Sequence, residues 1–170
     1  FKIFDNTGSM GKLPKMIIDR LPNFVRQMTD HAYAGVPIED VRLCPGVFGD
    51  YHDDGGRAPG AAALQVGEFE RLRDLDRWMK KLWLVGGGGG GSRESGELAM
   101  YFAAYCIDLP DAEQPFCMLI TDEGCYEEIA AETTREVFGG QTRTAMSTAH
   151  VAADLLKKFR GNVILIHPKY

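Results

Sequence analysis

Phe116-Cys117-Met118-Leu119-Ile120 is an unbroken apolar run, bounded by Pro115 on one side and Thr121-Asp122 on the other. A strand with one wet face alternates apolar and polar residues. Five apolar residues in a row instead describe a strand buried on both faces, which in globular proteins means a parallel sheet covered by helices. The remainder of the chain has to supply those helices.

Its periodicities do so. Phe1 to Phe4 reads as a short strand closing at Asp5, and a turn through Asn6, Thr7 and Gly8 follows. A helix should start near Ser9 or Met10, with Ile17, Leu21, Phe24 and Met28 along one face and a kink at Pro22. Val41 to Phe48 reads as a second strand, imperfect at Pro45-Gly46, and Ala62 to Val66 as a third that pairs with it. Phe69, Leu72, Leu75, Met79 and Leu82 mark an amphipathic helix over Glu68 to Trp83, its stripe serving the core. Glu94 to Cys106 is predicted helical with Leu98, Phe102 and Tyr105 inward. Two more helices, around Tyr126 to Phe138 and Thr144 to Phe159, precede a last strand from Asn162 to Ile166. Strands alternating with helices predict an α/β fold, doubly wound and Rossmann-like, with a mostly parallel central sheet flanked by helices.

A chain of 170 residues suits one domain, 1–170. Nineteen Lys and Arg against twenty-four Asp and Glu leave a net charge of −5 without a long basic run, which disfavours nucleic acid as a partner. No apolar run approaches the roughly 18 residues of a membrane helix. The start at Phe1, already in a strand, and the end just past Ile166 suggest a piece of a larger multidomain parent or complex, shortened at both ends. Cys44, Cys106, Cys117 and Cys125 form no CxxC pair. Reduced thiols in an intracellular, cytoplasmic protein are the simpler reading, with a secreted disulfide protein as the alternative. Six of the twenty glycines are consecutive, Gly86 to Gly91. Such a run has no side chains to pack and must be a loop, whether native or an inserted linker.

In a sheet of this kind ligands collect at the carboxyl ends of the strands. Asp5 closes the first strand and Asp122 closes the central run, so neighbouring strands would turn both carboxylates into one crevice. Thr7 and Ser9 complete an Asp-x-Thr-x-Ser loop ahead of the first helix. Oxygen ligands alone suit a hard cation, Mg²⁺ before Zn²⁺. Because a helix N-terminus favours anions, the carboxylates are what a cation there would require.

Phe4-Asp5-Asn6-Thr7-Gly8-Ser9-Met10-Gly11 resembles the metal-ion-dependent adhesion loop of von Willebrand factor A domains. Phe48-Gly49-Asp50-Tyr51 resembles the second-strand end of microbial members. The glycine-rich stretch through Glu94-Ser95 resembles their second metal loop, and Leu119-Ile120-Thr121-Asp122-Glu123 the third. The resemblance implies that Thr7 and Ser9 touch the metal through their hydroxyls while Asp5 and Asp122 hold it largely through water. One position is left for a carboxylate from a partner protein. Mg²⁺ is the implied ion, with Mn²⁺ or Ca²⁺ as substitutes, and the module is implied to bind rather than catalyse. Many members place a Thr in the second loop, where this chain offers Ser92, Glu94 and Ser95; Glu94 is the choice here.

Plainer readings stand beside these. Asp, Thr and Ser ahead of a helix are also favoured caps. Asp50, His52, Asp53 and Asp54 lie beside Gly55-Gly56 and read as a solvated turn. His31, His52, His150 and His167 lack metal-binding spacing, and Gly11-Lys12 lacks the rest of a phosphate-binding loop. The competing enzyme is a Mg²⁺-dependent phosphotransferase of the haloacid dehalogenase type, whose phosphorylation loop Asp5-Asn6-Thr7-Gly8-Ser9 also resembles. Asp5 would then be the nucleophile and Asp122-Glu123 the downstream acidic pair.

Overall fold

A computed structural model describes residues 1–30, 40–52, 63–84, 93–139 and 144–168. The glycine run Gly86 to Gly91, together with Ser92, Asp53, Asp54 and His31, lies outside the described residues, as do the side chains of Phe24, Met28 and Leu72. The first half of the chain forms β1 (Lys2–Asp5), a 3-10 turn (Gly8–Met10), α1 (Leu13–Asp30), β2 (Arg42–Leu43), β3 (Pro45–Phe48), β4 (Leu64–Val66), β5 (Glu70–Arg71) and α2 (Leu72–Met79). The second half forms β6 (Arg93–Glu94), α3 (Gly96–Tyr101) continuing into a π-helical turn (Phe102–Cys106), β7 (Cys117–Ile120), β8 (Gly124–Cys125) and β9 (Glu128–Ile129). It ends in α4 (Ala131–Phe138), β10 (Met146–Ser147), α5 (Thr148–Lys158) and β11 (Val163–Ile166).

Five strands make the central sheet in the order β11-β7-β1-β3-β4, parallel except for β4, which pairs antiparallel with β3. Alternation along the strands divides the core between two faces. Phe4, Val47, Met118 and Ile120 pack against Leu13, Ile17 and Ile18 of α1. Ile3, Cys117 and Leu119 pack on the other side against Leu98 and Ala99 of α3 and Val151 and Leu155 of α5. The protein is thus a doubly wound α/β fold with a mostly parallel sheet and helices on both faces. β7 is buried at all four residues, as its apolar run requires.

Pro45 is tolerated because it stands first in its strand, where a missing N–H does least damage. Gly46 is needed for close packing: a Cβ there would lie 3.0 Å from Ile3 Cδ1 and 3.1 Å from Val66 Cγ1. Gly46→Ala should therefore cost about 1–3 kcal/mol of stability. Thermal unfolding checks this, and an unchanged midpoint would mean the sheet face is looser than described.

Several predicted elements are shorter than expected, and for a common reason. Cys44 interrupts the second strand, and Arg42–Leu43 pairs instead with Glu70–Arg71. This pairing takes the residues that the periodicity gave to the start of the next helix. Likewise Glu94 belongs to β6, paired with β8, rather than to a helix. Glu128–Ile129 pairs with Met146–Ser147, so α4 and α5 begin later than the pattern suggests. The first helix starts at Leu13, after the 3-10 turn, and runs through Pro22 without a break. Tyr105, predicted inward, is exposed. The wider π turn carries it out of phase with Leu98, and its hydroxyl donates to Asp154 on α5 at 2.7 Å. Lys158 closes the end of that turn by donating to the carbonyls of Ala104 and Ile107. All four cysteines are free thiols.

Candidate metal centre

In the sheet order, β1 has β3 on one side and β7 on the other, so the chain changes direction across the sheet beside β1. At such a switch point two neighbouring loops leave the carboxyl edge in opposite directions and open a crevice. Asp5 stands at the end of β1, Thr121 and Asp122 just beyond β7, and Asp50 two residues beyond β3.

The loop after β1 is folded onto the Asp5 carboxylate. Oδ1 accepts from the Thr7 amide at 2.8 Å and from the Thr7 hydroxyl at 2.7 Å, while Oδ2 accepts from the Thr121 hydroxyl at 3.1 Å. Thr7 Oγ1 lies 3.0 Å from Ser9 Oγ, which donates to Asp122 Oδ1 at 3.1 Å. The four predicted residues Asp5, Thr7, Ser9 and Asp122 therefore form one hydrogen-bonded chain that crosses from the β1 loop to the β7 loop. The bond from the Thr7 amide to Asp5 is also what the plainer capping reading expects, since Asp5 satisfies an amide at the start of the 3-10 turn; the bonds that link Thr7, Ser9 and Asp122 go beyond it.

Glu94 approaches from a third segment. Its strand β6 pairs with β8, with Glu94 opposite Cys125, and this holds it against the loop that follows β7. The side chain is 1% exposed, and neither carboxylate oxygen has a hydrogen-bond partner. Burial pushes its pKa up to about 8, the charges of Asp5, Asp50 and Glu123 add to the rise, and the nearby Thr7 hydroxyl pulls it partly back. Burial also raises Asp5, with Asp122 adding to the rise. The hydrogen bonds from Thr7 and Thr121 oppose it.

Asp50 stands at a turn, as its sequence context predicts, but it is half-buried and its carboxylate is bonded by other elements as well as solvated. Its carboxylate accepts from the Tyr126 hydroxyl at 3.2 Å, the His52 amide at 2.8 Å and, more loosely, the Ser95 hydroxyl at 3.5 Å. Ser95 in turn accepts from the Tyr51 amide at 2.9 Å. Glu97, 1% exposed, accepts from the Tyr126 amide at 3.2 Å. Burial pushes the Glu97 pKa to about 7, offset by backbone hydrogen bonds and reinforced by Asp50. The strand-end rule would have found Asp50, which stands beyond β3 as Asp122 stands beyond β7. Thr121 lies inside the third loop motif, but nothing in that motif assigns it a role. Nothing in the local sequence marked Glu97 or Tyr126.

Among the described residues, no three or more His, Cys, Asp or Glu side chains form a group that could hold a metal ion by themselves. Hydroxyls and water would have to complete any shell. The donor chemistry nevertheless fits a hard cation: every donor is oxygen, Asp122 acts on Asp5 and Asp5 on Glu94 by charge, and neither oxygen of the buried Glu94 carboxyl has a hydrogen-bond partner. A buried anion without a partner is costly, and an adjacent cation removes that cost.

No family model matches the chain, and no protein of curated function matches it in sequence. Solved structures align with it in three dimensions. Proximal thread matrix protein 1 from the mussel byssus aligns at 15% identity over 98% of this chain and 36% of its own, with a TM-score of 0.48. An aerotolerance-related membrane protein from Bacteroides fragilis aligns at 12% identity over 99% of this chain and 90% of its own, also with a TM-score of 0.48. The chain spans about a third of the length of the mussel protein.

Proposed function

We propose that this chain is a von Willebrand factor A-type interaction module. It binds a divalent cation, Mg²⁺ or its substitutes Mn²⁺ and Ca²⁺, and uses it to hold an acidic side chain of a partner protein. The observation that carries this reading is the hydrogen-bonded chain of oxygens from Asp5 through Thr7 and Ser9 to Asp122, with the orphaned carboxylate of Glu94 buried beside it. These are the residues that would hold the ion: the hydroxyls of Thr7 and Ser9, the carboxylates of Asp5 and Asp122, and the buried carboxyl of Glu94. The cation supplies positive charge beside the carboxylates of Asp5 and Asp122, so that a partner carboxylate is attracted instead of repelled.

Three donors, the Thr7 amide and the hydroxyls of Thr7 and Thr121, hold the Asp5 carboxylate in place, as a group that positions an ion or its water requires.

Titration of chelated protein with MgCl₂ or MnCl₂, followed by calorimetry and thermal unfolding, tests the reading. Binding should be saturable and should raise the unfolding midpoint. Asp122→Ala, which leaves the buried bonds of Asp5 in place, should weaken it by about tenfold or more. A midpoint indifferent to both ions would overturn the proposal. Mg²⁺-dependent turnover of a generic phosphate ester, lost in Asp5→Asn, would replace it with the enzyme.

A further inference from the structure

β11 closes the central sheet on one side, and among the described residues no strand lies beyond it. Three exposed large hydrophobic residues follow one another in it: Ile164, Leu165 and Ile166 are 46%, 66% and 39% exposed. Charged side chains, prolines and bulges keep exposed edges from pairing with another chain. β11 has neither charge nor proline, and its register with β7 is unbroken.

That register fixes where its groups point. The Cys117 N–H donates to the Asn162 carbonyl at 2.9 Å and the Thr121 N–H to the Ile166 carbonyl at 3.1 Å, so the even-numbered residues turn their main chain toward β7. Leu165 therefore turns both its N–H and its C=O outward. Its side chain, in register with Leu119, lies on the sheet face covered by α3 and α5, whereas Ile164 and Ile166, in register with Met118 and Ile120, lie on the face covered by α1. The edge is apolar on both faces. A strand that covers it must be a continuous apolar run and not an alternating one.

β11 itself meets that description. Paired antiparallel with its own copy and centred on Leu165, it is self-complementary: the two Leu165 residues exchange N–H···O bonds, and Ile164 of each copy stands opposite Ile166 of the other. The helix beside it fits the same neighbour. Tyr105 bonds Asp154, and Lys158 bonds the carbonyl of Ala104, which holds one side of α5 against the π turn. Ala149, Ala152 and the exposed Leu156 lie at helical spacing on the opposite side, toward the open edge. With the two strands about 4.8 Å apart, the two α5 helices meet through these small residues at the separation of about 8–10 Å that helix packing uses. Such a contact removes on the order of 1,000 Å² from water in total, the lower limit for a specific interface and the size of a reversible one.

We propose that β11 is the contact of a twofold homodimer, in which two five-stranded sheets join edge to edge through antiparallel β11 strands. Self-pairing consumes this edge and closes the contact at two copies. Because the strands run in opposite directions, the carboxyl edges of the two copies face opposite ways. The dimer does not depend on the cation reading, but it would present two candidate metal centres to separate partners.

Sedimentation velocity of the chain in chelator, over a concentration series reaching the high micromolar range, tests this. A reversible monomer–dimer equilibrium is expected. Leu165→Lys should weaken it by about tenfold or more while leaving the unfolding midpoint of the monomer unchanged, and Leu165→Pro, which removes an outward N–H and leaves the bonds to β7, should also weaken it. Leu165→Cys should give a covalent dimer on mild oxidation beyond any formed by the parent through its exposed Cys106, since Cα atoms paired at the axis stand about 5.5 Å apart, within disulfide range. Val163→Cys, displaced from the axis, should not. A chain that stays monomeric throughout, a dimer indifferent to both Leu165→Lys and Leu165→Pro, open-ended assembly, or crosslinking of Val163→Cys in place of Leu165→Cys would each refute the proposal.

Discussion

Asp5→Ala should lower the stability of the metal-free protein by on the order of 3 kcal/mol and abolish its response to divalent cations. The first effect follows from the three donors that Asp5 satisfies: the Thr7 amide, the Thr7 hydroxyl and the Thr121 hydroxyl. Thr7 is 4% exposed, so water cannot readily replace the lost acceptor. A stranded buried donor costs about 1–3 kcal/mol, and part of the total is returned because a buried carboxyl is no longer present to be ionised. For a chain of this size the unfolding midpoint should fall by roughly 6–12 °C. Asp5→Asn separates the two effects. It keeps one acceptor oxygen and most of the stability, but it removes the charge. An Asp5→Asn protein stabilised by MgCl₂ as strongly as the parent would exclude this carboxylate from any cation site.

Glu94→Gln should have the opposite effect on the metal-free protein, and only at higher pH. In the fold Glu94 keeps its proton up to about pH 8, whereas its ordinary value is 4.5. Between those values the folded state binds more protons than the unfolded state, so stability falls as the pH rises through this window. Glu97, raised to about 7, adds a loss of the same sign over the lower part of it, and raised Asp5 contributes in the same direction. Glutamine has no proton to lose. In chelator the variant and parent should unfold at similar temperatures near pH 5. By pH 8 the variant should be the more stable by on the order of 3 kcal/mol, roughly 6–12 °C. MgCl₂ should narrow that gap by stabilising the parent more than the variant. A Gln variant less stable than the parent at pH 8 in chelator would mean that Glu94 has a partner in the fold and is not an orphaned charge.

The site was partly legible because two of its elements are local in sequence. The spacing of Asp5, Thr7 and Ser9 lies within a single turn, and a carboxylate after an apolar strand is visible in any one-dimensional reading. The chain could not disclose that Thr121 bonds the far oxygen of Asp5, since that contact joins residues 116 positions apart. For Asp50 the local sequence announces the turn but not the partners that reach it. The approach of Tyr126 and Ser95 from other elements adds to its local bond from the His52 amide, and no local pattern announces either. The overextended helices have a similar cause. Apolar spacing registers a helical face, but it cannot detect that Glu70–Arg71 and Arg93–Glu94 are drawn into two-residue pairings with distant segments.

What the sequence determined by itself was the layered α/β architecture. Burial on both faces leaves a continuous apolar strand no alternative to a sheet covered by helices, and helical periodicity is a local property. What only the tertiary structure decided was which strand ends meet. The order β11-β7-β1-β3-β4 sets β7 directly beside β1, and the pairing of β6 with β8 brings Glu94 in below. The physical reason is that the crowding of charge, the loss of water and the stranding of a carboxylate are properties of distances between segments, which no residue carries alone.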